Sequence, residues 1–318
     1  MHHRSRLGLI ALAATAGLAC LALPLLPPGA AGGGAASGSE PPLPGVFVGA
    51  FTWKDPDPAF GGLSGIELTQ DGLGFVTVSD RGTTFSGRLT RNAAGAVTAA
   101  VTTPAQALHA LSGAELSGLH ADAEGIALDP GGGVWISFEQ FARVDLYDTP
   151  GSRARPGPRA PAFRRLEDNG ALEALAIDAQ GRLVTLAEEP LDGRTDTPVW
   201  RLEGNQWREA FSITRDRSWK PVGADFGSDG RLYLLERAFW PPFGFQSRVR
   251  SFDPGSTGTR PDPGRPILAS RVGEFDNLEG LATWTDARGD IRLTMVSDDN
   301  FLSLQRTQLI DYRLPRDE

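Results

Sequence analysis

The sequence predicts an all-β protein, a β-propeller of five four-stranded blades. One pattern, two apolar runs joined by a Gly-containing turn, occurs five times and indicates an internal repeat of β-hairpins. Two further strand-like segments follow each hairpin except the last, which is followed by only one. An apolar segment near the N-terminus, 45–53, supplies the missing strand, so we expect it to close the fifth blade.

The hairpins begin at positions 64, 124, 173, 222 and 279, at spacings that fit blades with loops of variable length. Their second strands, FVTVS, VWISF, LVTLA, LYLL and LTMVS, are almost continuously apolar, which is typical of strands covered on both faces. Neighbouring blades of a propeller would cover them. The long stretch 84–123 leaves room for a sixth blade, so a six-bladed ring stays an alternative.

The third and fourth strands of each blade are predicted from the segments after each hairpin. They are FSGRLTR and AVTAAVTT, ARVDLYD and AFRRLED, PVWRLEG and WREAFSI, and SRVRSFD and PILASRVG, with TQLIDYRL as the single strand of the last blade. High counts of Gly (39) and Pro (24) suit many short strands and turns.

The N-terminus has the composition of an export signal. Arg4 and Arg6 precede an apolar run that ends near Leu26, and Pro and small residues follow it. We therefore predict a signal peptide at 1–31, a Gly/Pro-rich linker at 32–44 and a single propeller domain at 45–318, in the periplasm or secreted. An uncleaved membrane anchor is the alternative.

The charge balance limits the partners of the exported chain. Removal of residues 1–31 takes away two of the 31 basic residues and none of the 39 acidic ones, which leaves a net charge of −10. An acidic protein of this kind is not expected to bind nucleic acid or an anionic membrane. The one cysteine, Cys20, lies in the predicted signal, so no disulfide is expected. We expect a monomer.

The hairpins also bring acidic residues together. Counting from the turn, Glu279 falls opposite Asp298, Glu173 opposite Glu188, and Glu124 opposite Glu139, although like charges directly opposite each other destabilise a strand pair. In a propeller these positions share one rim of the central channel. We predict a first tier of Glu124, Glu173 and Glu279, with Ser64 and Val222 at its other two positions, and an outer tier of Asp80, Glu139, Glu188, Glu236 and Asp298.

Three chemical interpretations of this rim compete with a structural one. Carboxylates could hold a hard cation such as calcium, act as a general acid and base, or combine with nearby arginines in an oxyanion site. Alternatively, each acid pairs with an arginine or caps loop amides. The absence of an acid at Ser64 and Val222 favours function, whereas a repeat that copies its structural residues favours the structural interpretation.

Other chemistries have weak signals. The mature chain has two histidines, His109 and His120, too few for a histidine-based zinc site. His120 with Asp122 could form a catalytic dyad, but a lone loop histidine is more often a surface residue. The nucleophile elbow, the P-loop and the dinucleotide-binding fingerprint are absent from the sequence, and no organic cofactor is expected.

The segments GGLSGIEL…GFVTVSDRG, DAEGIAL…GGVWISFEQFARVDLYD, ALEALAIDAQGRLVTLAEE, GRLYLLERAF…GFQSRVRSFD and NLEGLATW…VSDDNFLSLQRTQLIDYRL resemble the phytase-like family, proteins described as having esterase-like activity of phytase. The resemblance covers about 61–314. It implies an exported bacterial propeller that hydrolyses an ester or phosphoester, and it carries no assigned catalytic residues.

Together these observations predict a small-molecule ester or phosphoester hydrolase with a divalent cation, calcium rather than magnesium, at the acidic rim. Glu124, Glu173 and Glu279 would hold the cation. One of Glu139, Glu188 or Asp298 would activate water, and Arg81, Arg237 or Arg306 would stabilise the developing anion. The alternative is a non-catalytic periplasmic propeller that binds a ligand or a protein, with structural acids.

Overall fold

The computed structural model describes residues 42–166, 170–189, 191, 193–255 and 260–316. Among these residues there is no α-helix, and no helix that could cross a membrane. The predicted signal peptide, 1–31, and most of the predicted linker lie outside the described residues. Five antiparallel sheets make up the described chain, which confirms the predicted five-bladed propeller.

The blades follow one another along the chain, each with its first strand innermost. Blade 1 contains β2 (Leu63–Leu68), β3 (Gly74–Ser79), β4 (Thr83–Arg91) and β5 (Val97–Thr102), with a short β6 (Gln106–Ala107) on β4. Blade 2 contains β7 (Ala123–Leu128), β8 (Val134–Phe138), β9 (Arg143–Tyr147) and β10 (Ala154–Pro156). Blade 3 contains β11 (Leu172–Ile177), β12 (Leu183–Ala187), β13 (Asp196–Glu203) and β14 (Gln206–Thr214).

Blade 4 contains β15 (Lys220–Phe226), β16 (Leu232–Trp240), β17 (Gly244–Phe252) and β18 (Arg265–Ala269). Blade 5 contains β19 (Asn277–Thr285), β20 (Ile291–Asp298) and β21 (Gln308–Leu314), and its fourth strand is β1 (Val46–Thr52). The pairing of β1 with β21 is antiparallel and runs from Val46 with Arg313 to Thr52 with Gln308. The predicted closure of the last blade by the N-terminal strand is thus confirmed.

One segment differs from the sequence-based prediction. The outer strand of blade 2 is the three-residue β10, and part of the predicted strand AFRRLED is instead a 3-10 turn, Phe163–Arg165. Prolines before this turn disfavour a ladder, and Phe163 packs against Trp200 at a ring separation of 5.5 Å. The stretch 84–123 holds the outer strands of blade 1 and a 3-10 turn, Gly118–His120, and no sixth blade.

The core lies between blades, which explains the apolar second strands. Buried side chains form five clusters, and each cluster joins two neighbouring blades: 1 with 2, 2 with 3, 3 with 4, 4 with 5, and 5 with 1. The five innermost strands contact one another around a closed circle. Inside this circle the remaining cavity is only about 10 Å³, too small to hold a row of waters, so the centre of the ring is packed.

Every innermost strand carries a β-bulge near its start. The register shifts around Ser64, Glu124, Glu173, Val222 and Glu279. The pairing predicted from the turns is therefore wrong: Asn277, and not Glu279, lies opposite Asp298, and Glu279 falls within the bulge. A bulge bends the strand and re-aims a side chain, so the first-tier side chains are turned out of the ladder at one end of the ring.

Glycine after the bulge allows the inner strands to approach closely. The residue that follows the first-tier position is glycine in four of the five blades: Gly65, Gly125, Gly223 and Gly280. A Cβ added at Gly125 would lie 2.6 Å from the Glu173 carbonyl oxygen of the next blade, and one at Gly223 would lie 2.4 Å from that of Glu279. These contacts draw the first-tier residues of adjacent blades together.

Substitution of Gly125 by alanine is expected to lower the free energy of unfolding by about 3 kcal/mol, because backbone atoms of two strands would have to separate. Urea unfolding measures the change. Ala174→Gly is the matched control, since Ala174 holds the equivalent position in blade 3, and its expected cost is about 1 kcal/mol or less. Equal effects of the two substitutions would contradict the close-approach explanation.

Candidate functional site

The ends of β7, β8, β11 and β12 bring five carboxylates together at one rim of the ring. Carboxylate oxygens of Asp122, Glu124 and Glu139 lie within 4.8 Å of one another, and so do those of Glu139, Glu173 and Glu188. Glu139 belongs to both groups and joins them. We call these five residues the acid cluster. Two of the residues predicted to hold a cation, Glu124 and Glu173, lie in it, as do the predicted catalytic residues Glu139 and Glu188.

Three members of the acid cluster are buried and lack a cationic partner in the described ranges. Glu124, Glu139 and Glu173 are each more than nine-tenths buried, and no ion pair joins them to a lysine, arginine or histidine within the described ranges. Glu139 accepts a hydrogen bond from the backbone N–H of Gly170. Buried carboxylates without a counter-charge are costly to keep ionised.

This environment raises the pKa values of the cluster. Burial raises the pKa of Glu139 to about 7, against the opposing effect of the Gly170 N–H. Burial, followed by the charge of neighbouring Glu173, raises the pKa of Glu124 well above its usual range. Burial and then Glu188 raise the pKa of Glu173 in the same direction. The cluster therefore favours either bound protons or a bound cation.

Blade 4 has an arginine, Arg237, at the rim position where the other four blades have an outer-tier acid. The Arg237 guanidinium donates to Glu188 Oε1 at 2.9 Å, to Asn277 Oδ1 at 2.7 Å and to Glu279. Lys220 Nζ lies 2.9 Å from the second oxygen of Glu188. Glu279, predicted to hold a cation with Glu124 and Glu173, is thus bonded to an arginine, and Arg237 bridges blades 3 and 5.

A second acidic pair, Asp298 and Asp80, lies between Glu279 and Asp122 of the acid cluster. Asp298 accepts a hydrogen bond from the Asn300 N–H at 2.7 Å. Burial, then the charge of Glu279, raises the pKa of Asp298 to about 8. Burial also raises the pKa of Asp80 to about 6, opposed by Arg81, and Asp80 Oδ1 has no hydrogen-bond partner in the described part of the chain.

Glu236 does not belong to the rim. It pairs with Pro221 across the hairpin and directly precedes Arg237 in β16, so its side chain lies on the opposite face from Arg237. There it accepts hydrogen bonds from Arg250 at 2.6 Å and from Arg248 at 2.8 Å. Glu236 is therefore a neutralised, structural acid, and its predicted place in the outer tier is wrong.

The other predicted arginines are placed differently from Arg237. Arg81 is exposed, with its guanidinium carbon 3.3 Å from the centre of the Phe301 ring. Arg306 has a side chain that is 58% exposed, and its nearest acid is Asp276 at 4.0 Å. Both lie outside the contacts that hold the acid cluster. The His120 ring stacks on Phe141 with ring centres 4.5 Å apart, and no hydrogen bond links it to Asp122 among the described residues.

The donor set of the acid cluster fits a hard divalent cation. All its ligand atoms are carboxylate oxygens, which calcium and magnesium prefer. Oxygens on opposite sides of a calcium ion, each about 2.4 Å from it, are separated by up to roughly 4.8 Å, and the oxygens of each group of three lie within that distance of one another. Three carboxylates leave further coordination positions for water or substrate.

Similarity to solved structures is limited to overall fold. One is the PQQ-bound aldose sugar dehydrogenase of Streptomyces coelicolor, with 12% identity and a TM-score of 0.45, covering 86% of this chain and 99% of that one. Another, described as a candidate gluconolactonase, has 13% identity and a TM-score of 0.43, covering 84% and 94%. The search of curated proteins gives no match.

The family comparison is more extensive. The family model named phytase-like, described as esterase-like activity of phytase, matches residues 58–301. The match covers more than half of the 318 residues and includes all the acids of the rim described above. The chain belongs to the phytase-like family.

Proposed function

We propose that this protein is an exported hydrolase of esters or phosphoesters, and that the acid cluster binds a divalent cation, calcium rather than magnesium. The observation that supports the proposal is that three buried carboxylates of the acid cluster, Glu124, Glu139 and Glu173, lack a cationic partner in the described ranges. A purely structural acid would be neutralised as Glu236 is.

The cation site is proposed to centre on Glu139, because this residue is common to both groups of carboxylates. Glu173 and Glu124 lie on either side of it. When bound, a divalent cation polarises a substrate oxygen and stabilises negative charge that develops on it. Glu279 is assigned a positioning role, since it shares Arg237 with Glu188.

Proton transfer is assigned to Asp298. With a pKa of about 8, its carboxyl is protonated at neutral pH and can act as a general acid. Nearby Asp80, with a pKa of about 6, is ionised under the same conditions and can act as a base. Two carboxyls whose environments separate their pKa values are the usual arrangement for acid–base work. Arg81, beside Asp80, is the arginine left available for a developing anion.

Thermal unfolding of the purified protein in EDTA, calcium or magnesium tests the cation site. We expect calcium to raise the Tm, by an amount equivalent to about 2.7 kcal/mol at a hundred times its Kd. Glu173→Gln should lose this rise, whereas Glu203→Gln, a substitution of an exposed acid in the same blade, should keep it. Hydrolysis of p-nitrophenyl acetate and p-nitrophenyl phosphate, with calcium or EDTA, tests the activity.

A calcium-independent Tm in the wild-type protein would count against the cation site. It would favour the second candidate, a periplasmic or secreted binding propeller with structural acids. The bonds of Arg237 to Glu188 and Glu279 support that candidate, because they show acids of the rim neutralised by the fold itself. Absence of hydrolysis together with a clear calcium effect would separate cation binding from catalysis.

A further inference from the structure

A cavity of about 620 Å³ opens beside the acid cluster. Glu139 forms part of its wall, and the other walls come from the turn after β8, from β9 and from segments around 110–116 and 156–166. Most of its lining side chains are apolar, among them Leu116, Phe163 and Leu166. Pockets of about 300–1,000 Å³ with apolar walls and few polar groups are typical binding sites for small molecules.

The charged groups of this cavity are largely paired with one another. Arg143 Nε donates to Asp145 Oδ2 at 3.1 Å, and Arg159 Nη2 donates to Asp145 Oδ1 at 3.3 Å. Arg164 and His120 lie at the exposed edge. The described lining therefore offers apolar surface and the carboxyl of Glu139, and among these residues there is no group of unpaired cations that would hold a highly charged phosphoester.

The mouth of the cavity exposes apolar side chains. Leu111 is 63% exposed and Phe141 is 56% exposed. Phe141 has a φ of 56°, a left-handed conformation that is unfavourable for a bulky residue. In blade 1 the residue two positions after the outer-tier acid is Gly82, which adopts a φ of 69° without strain. An aromatic ring is thus held at the mouth in a position where glycine would suit the backbone.

The floor of the cavity contains an unsatisfied hydroxyl. Tyr147 lines the cavity and is fully buried, and its hydroxyl has no hydrogen-bond partner in the described part of the chain. A buried hydroxyl without a partner lowers stability. A ligand oxygen that reaches this depth would accept its hydrogen bond.

From these features we propose that the cavity binds the apolar acyl group of a carboxylic ester, with the ester bond beside Glu139. This inference rests on the proposed hydrolase function and narrows it from esters and phosphoesters to carboxylic esters. In the reaction a bond forms between the water oxygen and the acyl carbon, and the bond from that carbon to the alcohol oxygen breaks. One proton of the water passes to the leaving alcohol, and the other is released when the carboxylic acid product ionises.

The test combines binding and turnover in the full-length protein with calcium present. The binding probe is 1-anilinonaphthalene-8-sulfonate, followed by fluorescence, and the substrates are p-nitrophenyl acetate and p-nitrophenyl octanoate. Ala110→Trp places an indole in the cavity wall. Ala114→Trp, an exposed position of the same turn, is the matched control.

We expect Ala110→Trp to weaken probe binding at least tenfold and to raise the KM for the octanoate ester at least tenfold, with a smaller effect on the acetate ester. Ala114→Trp should change neither. Tyr147→Phe, which removes only the hydroxyl, should keep or raise the Tm, because the hydroxyl has no hydrogen-bond partner in the described part of the chain.

Equal probe binding and equal octanoate KM in Ala110→Trp and the wild-type protein would overturn the cavity assignment. Faster hydrolysis of p-nitrophenyl phosphate than of either ester would overturn the narrowing to carboxylic esters. Loss of probe binding in Ala110→Trp without hydrolysis of any substrate by the wild-type protein would refute the hydrolase function and would leave the cavity as a ligand site.

Discussion

Replacement of Arg237 by methionine is expected to lower the free energy of unfolding by about 3–5 kcal/mol at pH 7, as is found when one partner of a buried ion pair is removed. The side chain of Arg237 is only 17% exposed and is bonded to Glu188, Asn277 and Glu279. Without the guanidinium, Glu279 keeps its buried position with no counter-charge. Urea unfolding at pH 7 measures the loss.

Two controls separate this effect from a general loss of charge. Arg306→Met removes an exposed arginine whose nearest acid is 4.0 Å away, and its expected effect is below about 0.5 kcal/mol. At pH 5 the deficit of Arg237→Met should shrink, because burial already raises the pKa of Glu279 and the arginine opposes that shift. A deficit that is the same at both pH values would indicate lost packing and not lost charge.

Stability of the cation-free protein is expected to fall as the pH rises from about 5 to 9. The folded-state pKa is about 7 for Glu139 and about 8 for Asp298, whereas unfolded glutamate and aspartate titrate near 4.3 and 3.9. Between these values the folded chain holds protons that the unfolded chain has released. Its free energy of unfolding therefore decreases with pH until both groups are ionised.

The size of this fall follows from the pKa shifts. At about 1.4 kcal/mol per pKa unit, Glu139 alone accounts for about 3 kcal/mol between pH 5 and its folded-state pKa of about 7. Glu139→Gln should remove that part of the slope, because the amide does not titrate. Added calcium should flatten the slope in the wild-type protein, since a bound cation stabilises the ionised carboxylates. Urea unfolding from pH 5 to 9 in EDTA measures the slope. A free energy of unfolding that rises with pH would contradict the interpretation.

The fold could be predicted from the sequence because its signals are local and repeated. Each hairpin has an apolar run on either side of a glycine turn. The last blade lacks a fourth strand in sequence order, and the strand near Val46 is the one left to pair with Gln308–Leu314. The register could not be predicted from the turns alone. A bulge adds a residue without changing the apolar pattern, so Glu279 was assigned the partner that belongs to Asn277.

The site could be predicted only in part. The two tiers placed Glu124, Glu139, Glu173 and Glu188 together, because strand ends meet at the rim. Asp122 was missed as a member of the cluster, because the pairing counted from the turn placed Glu124 opposite Glu139, whereas in the structure the Glu139 N–H donates to the Asp122 carbonyl oxygen. The cavity had no sequence signal, since the segments around Ala110 and Phe163 are turns without periodicity.

The last blade is completed by the first strand of the domain, and this has a consequence for how the protein is made. Val46 can pair only after its partner Arg313 has been synthesised, and the four preceding blades lie between the two in sequence. Contacts between such distant positions form slowly. Arg237 reaches its acids only when blade 5 is beside blade 4. A chain synthesised only as far as blade 4 would therefore lack the bridge that Arg237 makes between blades 3 and 5.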